Sequence, residues 1–155
     1  MAVRTLRTFH DEALRTRCRE VAEVNSHIRR LLDDLAQTMY HTPLGAGLAA
    51  PQVGVLRRAA VIDMGDGLIE LINPVIVGTS GHQECIEGCL SFPGCWAKTI
   101  RPLSVTVEAL NRFGKPFLIS GERELAKCLC HEIDHLDGIV MRDRAVEYGR
   151  IRKKK

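Results

Sequence analysis

Chemistry is concentrated in CLCHEIDHLDG, residues 128 to 138, where His131 and His135 stand four apart and Glu132 follows the first. On a helix, positions i and i+4 lie one turn apart on one face, so both imidazoles can reach a single metal ion. Glu132 can overhang that ion without ligating it and reach a bound water. The pattern is usually read as the zinc helix of a metallopeptidase. Such a site needs a third protein ligand, and a thiol or carboxylate held by a rigid loop would serve. Cys89 sits in ECIEGCLSFPGCW, where Gly88 leaves room for close backbone approach; Cys85 is its rival and Cys95 a weaker one. Cys128, one turn before His131, could face the site, whereas Cys130 is adjacent to His131 and must point elsewhere. A closed structural site of Cys85, Cys89, His131 and His135 would leave Glu132 without a purpose. Spacing leaves Cys85 and Cys89 both open.

The elements that must position these residues follow from periodicity. Leu125, Leu129, Ile133 and Leu136 give the histidine segment an apolar side. This predicts a core helix from about Glu122 to Leu136, its histidines facing a cleft and its end set by Asp137-Gly138. Asn25-Ser26 can cap another helix running to about Tyr40, with Ile28, Leu31, Leu32, Leu35 and Met39 on one buried face. His27 and His41, at its ends, read as surface residues. DEALRT, from Asp11, predicts a short helix. HTPLGAGLAAPQVG, with two prolines and three glycines, breaks all regularity. Strands are predicted at RAAVID (58–63), LIELIN (68–73), PVIVG (74–78), SVTVEAL (104–110) and PFLIS (116–120), with turns at MGDG and NRFGK. Strands in hairpins and helices towards the two ends predict an α+β fold, its mostly antiparallel sheets packed around the C-terminal helix that carries the ligands. Glu87 and Arg101 lie on segments expected to converge as a buried structural ion pair.

A chain of 155 residues is the size of one domain, and there is no internal repeat; a short basic tail is expected from about residue 146. With 45% apolar and 26% charged residues it reads as globular rather than disordered. No apolar run approaches a membrane span, and MAVRTLRTF lacks the apolar segment of a secretory signal. A cytoplasmic protein is the expectation, with a short organellar presequence as the alternative. The six cysteines then read as reduced thiols. A net charge of +3 is too mild to imply nucleic-acid binding by the body of the protein. RIRKKK, 150 to 155, is different: five cations in six residues form a solvated tail or meet an anionic partner such as ribosomal RNA.

Three segments taken together resemble the peptide deformylases. The glycine-rich motif G-x-G-x-A-A-x-Q appears as GAGLAAPQ from Gly45 to Gln52, E-G-C-x-S as EGCLS from Glu87 to Ser91, and H-E-x-x-H as HEIDH from His131 to His135. The resemblance runs along most of the chain. It departs at Cys130, where the family usually has glutamine, and in length, since only about ten residues follow Ala145, too few for the long C-terminal helix of many bacterial members.

The resemblance implies that Cys89, His131 and His135 bind the metal, with ferrous iron as the usual physiological ion and zinc, nickel or cobalt able to substitute. Ligand chemistry alone would favour zinc. It implies a substrate class of nascent polypeptides beginning with N-formylmethionine, with Glu132 moving a proton from water to the departing amine. Gln52 and the backbone N–H of Leu90 would stabilise the oxyanion. Gly45 and Gly47 would let substrate backbone run along the loop, Cys128 would line the pocket for the methionine side chain, and Trp96 would form a groove wall or pack in the core. Lys127 and Glu124 could set preference at the second residue. Two other readings stand beside this one: a zincin-like metallopeptidase cutting internal bonds, for which only Glu147 remains as a downstream ligand, and a non-catalytic, ribosome-associated metal-binding module.

Overall fold

The structure is a computed structural model that describes residues 2–43 and 45–151. A 3₁₀ turn at Glu12–Arg15 precedes helix α1 (Ser26–His41). Asn25 caps α1 by accepting from the Ile28 N–H, and Ile28, Leu31, Leu32, Leu35 and Met39 form its buried face. Strand β1 (Gly47–Ala49) runs directly into a second 3₁₀ turn, Ala50–Val53. Strands β2 (Ala59–Ile62), β3 (Ile69–Ser80), β4 (Gln83–Glu87), β5 (Cys95–Arg101), β6 (Ser104–Leu110) and β7 (Pro116–Glu122) follow. Helix α2 (Glu124–Leu136), a 3₁₀ turn (Met141–Arg144) and β8 (Ala145–Arg150) complete the described chain.

All named strand pairs are antiparallel, in a five-stranded sheet ordered β1-β2-β3-β6-β7 and a three-stranded sheet ordered β4-β5-β8. The larger sheet is covered on both faces. Ala59, Val61 and Ile72 pack with Leu31, Leu32, Leu35 and Met39 of α1. Ile62, Leu71, Val105, Val107 and Ala109 pack with Ala126, Leu129, Cys130 and Ile133 of α2. Every residue of β2 is therefore buried, which explains its unbroken apolar run. The fold is α+β, with α2 held against the larger sheet and touching β5 of the smaller one.

Several expectations are corrected. LIELIN and PVIVG form one strand, β3, because Pro74 sits at a register shift where β6 asks nothing of its missing N–H. The adjacent Asn73 takes a left-handed backbone and clasps both the N–H and the C=O of Val21. Helix α2 starts at Glu124 rather than about Glu122, since Gly121 and Glu122 are still paired with Val105 and Ser104. Gly138 does adopt the left-handed backbone expected after the helix and returns its N–H to the His135 carbonyl. The tail placed from about 146 is instead strand β8, registered on β5 with Tyr148 opposite Ala97. Of RIRKKK, residues 152–155 lie outside the described residues.

Candidate metal centre

The C-terminal half of α2 turns His131, Glu132 and His135 toward the gap between the two sheets, and all three are buried. The turn after β4 brings Cys89 to meet them. Cys89 Sγ lies 3.3 Å from His135 Nε2, which lies 3.3 Å from His131 Nε2. One donor atom from each of the three residues falls within 4.8 Å of the others. Cys85 is excluded, because it is buried in β4 outside that group. Cys95 and Cys128 line the adjoining cleft without joining it.

The trio fits a metal ion. Two nitrogens bound at about 2.0–2.1 Å on a tetrahedral ion stand about 3.4 Å apart, close to the spacing of the histidines. One thiolate and two imidazoles also leave the fourth position of a tetrahedron open. The two rings differ in their affinity for a proton. Burial disfavours charge on both, yet the Cys89 and Glu87 side chains hold the His131 pKa well above the ordinary value. His135 is driven well below it by burial and by its charged neighbour.

His131 is oriented from behind. Its Nδ1 is 2.7 Å from a carboxylate oxygen of Glu87, leaving Nε2 for the centre. Glu87 is also held by Arg101, whose Nε and Nη2 reach its two oxygens at 2.8 and 3.0 Å, and by the Thr99 hydroxyl. Arg101 continues to Asp134 at 2.7 Å, and Arg144 closes that carboxylate from the surface side. Burial would raise the Glu87 carboxyl, but the hydrogen bonds from His131 and Arg101 hold it well below the usual carboxylate range. The expected Glu87–Arg101 pair is thus present and does more than join two strands, because it fixes the His131 ring. Glu87→Ala is expected to weaken metal affinity about 10–100-fold, measured by competition with a chelator. An unchanged affinity would remove this role.

Glu132 differs from Glu87 in having almost nothing to hold it. Its Oε1 is buried with no hydrogen-bond partner among the described residues, and burial raises its carboxyl to about 7. Gly47 of β1 lies against it so closely that a Cβ there would stand 2.5 Å from Oε2. Gly47 therefore makes space for Glu132, a use that the loop sequence did not reveal. At Gly45 a Cβ would meet the Met39 carbonyl at 2.7 Å, so that glycine is required by packing against α1 as well.

Gln52 projects from the 3₁₀ turn after β1. Its Oε1 accepts from the Ala49 N–H at 2.9 Å, which forces its amide NH₂ toward the centre. That nitrogen lies 3.1 Å from Ser91 Oγ and 3.6 Å from Cys89 Sγ. Leu90 follows Cys89 on the cleft wall, and its N–H donates to no group among the described residues.

A cleft of about 430 Å³ gathers these groups: Gly45, Gly47, Gln52, Cys89, Leu90, Cys128, His131 and Glu132 all line it. Cys128 gives it a neutral wall, since burial raises its thiol pKa well above the ordinary value. Lys127 and Glu124 line the same cleft and pair with each other at 2.7 Å. Trp96 is not on this wall. It lies in β5 opposite Gly149, where a Cβ would come within 2.9 Å of its indole, so the ring packs across β8. Cys130 faces the apolar core under the larger sheet and makes no hydrogen bond to the centre. The rim residues Pro43, Met64, Phe92 and Pro93 were not anticipated, because an apolar residue in an irregular loop carries no periodic signal.

A family model described as polypeptide deformylase matches residues 3–150. The chain is 51% identical over 148 residues to peptide deformylase 2 of Clostridium acetobutylicum, covering 96% of this chain and 99% of that one. It is 54% identical over 148 residues to the peptide deformylase of Acetivibrio thermocellus, covering 96% and 86%. The crystal structure of a peptide deformylase from Legionella pneumophila superposes with a TM-score of 0.89 at 44% identity, over 92% of this chain and 86% of that one. Likeness over nearly the whole chain, joined to a Cys–His–His centre with a free carboxylate beside it, means that the chain belongs to the polypeptide deformylase family of metal-dependent enzymes.

Proposed function

We propose that the enzyme hydrolyses the formamide at the N-terminus of newly made polypeptides beginning with N-formylmethionine, releasing formate, in the bacterial-type cytoplasm where such chains arise. The observation that carries this reading is the buried, unpartnered Glu132 carboxylate beside the Cys89–His131–His135 trio. A structural metal site has no use for such a group, whose burial is costly. The peptidase alternative also loses its ligand, since Glu147 is exposed on β8 and outside the trio.

When bound, a divalent ion supplies Lewis acidity and lowers the pKa of a coordinated water. We assign Fe²⁺ as the native ion on the family resemblance, with Zn²⁺, Ni²⁺ and Co²⁺ acceptable to the same thiolate and imidazoles. Glu132 takes the proton of the attacking water and delivers it to the departing amine nitrogen, because one carboxylate faces both. Gln52 Nε2 and the Leu90 N–H donate to the carbonyl oxygen as negative charge grows on it. Among the described residues β1 pairs with β2 alone, so its free edge at Gly47, with Gly45 just before it in the same cleft, offers backbone groups for an extended substrate. Cys128 lines the space for the methionine side chain. The cations at the C-terminus are assigned to contact with the ribosome.

Anaerobically purified protein loaded with each of these ions is expected to release formate from a formyl-Met peptide and to stop when a chelator removes the ion. Cleavage of internal bonds in unformylated peptides would favour the peptidase instead, and no turnover with any ion would favour a binding module.

A further inference from the structure

Behind the catalytic cleft lies a second cavity, of about 460 Å³, at the junction of β8 with the N-terminal segment. Phe92 lines both and separates them. Three arginines, Arg15, Arg142 and Arg150, line this cavity together with His10. The charge is poorly balanced. Asp143 pairs with Arg15 and accepts from the Val140 N–H, whereas neither Arg142 nor Arg150 meets a carboxylate among the described residues.

The walls are aromatic and preset. Arg142 lies over the Tyr148 ring with its guanidinium carbon 4.9 Å from the centroid, a cation–π contact. Phe9 meets Phe92 edge-on with ring centroids 6.0 Å apart. Phe9 has φ +50, a backbone that a bulky residue rarely adopts, and its N–H is tied to the Ser91 carbonyl. Nothing in the deformylase chemistry uses this arrangement. Cations without a carboxylate partner, beside planar groups on which bases stack, are what a single-stranded nucleic acid requires. The chain supplies a second cue, since four more cations, Arg152 to Lys155, follow Ile151 at the end of β8.

We propose that this cavity binds single-stranded RNA, with phosphates on Arg142 and Arg150 and a base stacked at the Arg142–Tyr148 plane. The site lies in the folded body and extends the ribosome contact assigned above beyond the tail. Its binding does not depend on the metal reading. An acidic peptide and an anionic membrane surface both lack the base.

The test is fluorescence anisotropy of a labelled mixed-sequence RNA 12-mer against the metal-loaded full chain, titrated with salt. The double variant Arg142→Gln/Arg150→Gln is expected to bind about tenfold more weakly, with the salt slope reduced by about 1.4. Tyr148→Leu is expected to weaken binding about fivefold with the slope unchanged, because it removes stacking and no charge. Both arginines lie outside the catalytic cleft, so formate release by the double variant should match the unaltered enzyme, which also reports that it is folded. Unchanged RNA binding by the double variant, with all affinity lost on deleting residues 152–155, would overturn the proposal. So would binding of phosphatidylserine vesicles or a poly-glutamate peptide with the same arginine dependence and no binding of RNA.

Discussion

Glu132→Gln is expected to lower turnover of a formyl-Met peptide by about 10²–10⁴-fold while metal content stays at one ion per chain. The substitution keeps the shape beside Gly47 but leaves an amide that cannot take a proton from water. Its effect on stability should have the opposite sign. Glu132 Oε1 is buried without a partner, and the carboxyl is raised to about 7 by desolvation. Between the ordinary value of 4.5 and about 7 the folded metal-free protein holds a proton that the unfolded chain has released. Stability from this group is therefore greatest at low pH and is lost as pH rises through that window. Glutamine removes the loss, so the metal-free variant should melt at a higher temperature than the unaltered protein at pH 8, with the difference shrinking toward pH 4. Turnover within threefold of the unaltered enzyme would sink the proton-transfer role. Destabilisation at pH 8 would instead show that the carboxylate is held by contacts other than those described.

Removing the Gln52 amide donor should cost about 10²–10³ in kcat, the usual loss for one oxyanion donor. The structure also says which variant tests it. From the sequence, Gln52→Ala would be expected to fold normally, but Gln52 Oε1 satisfies the buried Ala49 N–H. Alanine would leave that donor unpaired, at a cost of about 1–3 kcal/mol. Gln52→Glu keeps an oxygen for the Ala49 N–H but puts an oxygen that can carry charge, in place of the NH₂ donor, beside Cys89 and Ser91. We expect Gln52→Glu to retain metal, to lose kcat by about the stated factor, and to change KM much less. Equal losses in kcat/KM from a raised KM alone would mean that Gln52 binds the ground state and has no preference for the oxyanion.

Much of this was legible in the chain, for reasons of local physics. The helix bearing HEIDH and the cap of α1 follow from side-chain spacing and from one Asn hydrogen bond, interactions confined to a few neighbours in sequence. Strands β6 and β7 were visible because each alternates a more buried with a more exposed face, at different depths in the sheet. Strand β5 also alternates, but its buried face carries Thr99 and Arg101, so it does not read as apolar. Strand β8 was mistaken for a tail because its partner, β5, is some fifty residues away in the chain. Of the two expectations for Trp96, a groove wall or packing, strand alternation decides for packing, since it turns the ring onto Gly149.

The sequence by itself picked out the groups proposed to react. His131, Glu132 and His135 are placed by helical geometry, and GAGLAAPQ and EGCLS named Gln52 and Cys89 through resemblance. Only the tertiary structure decided how those groups are made to act. Cys89 was separated from Cys85 by which thiol the turn after β4 carries to the histidines. Glu87 became the group that orients His131, and Gly47 the gap that admits Glu132, because contacts between residues more than forty apart in the chain depend on how two sheets close around α2. Spacing along a helix is a local quantity, whereas the distance between a strand, a loop and a helix is set by the packing of the whole core.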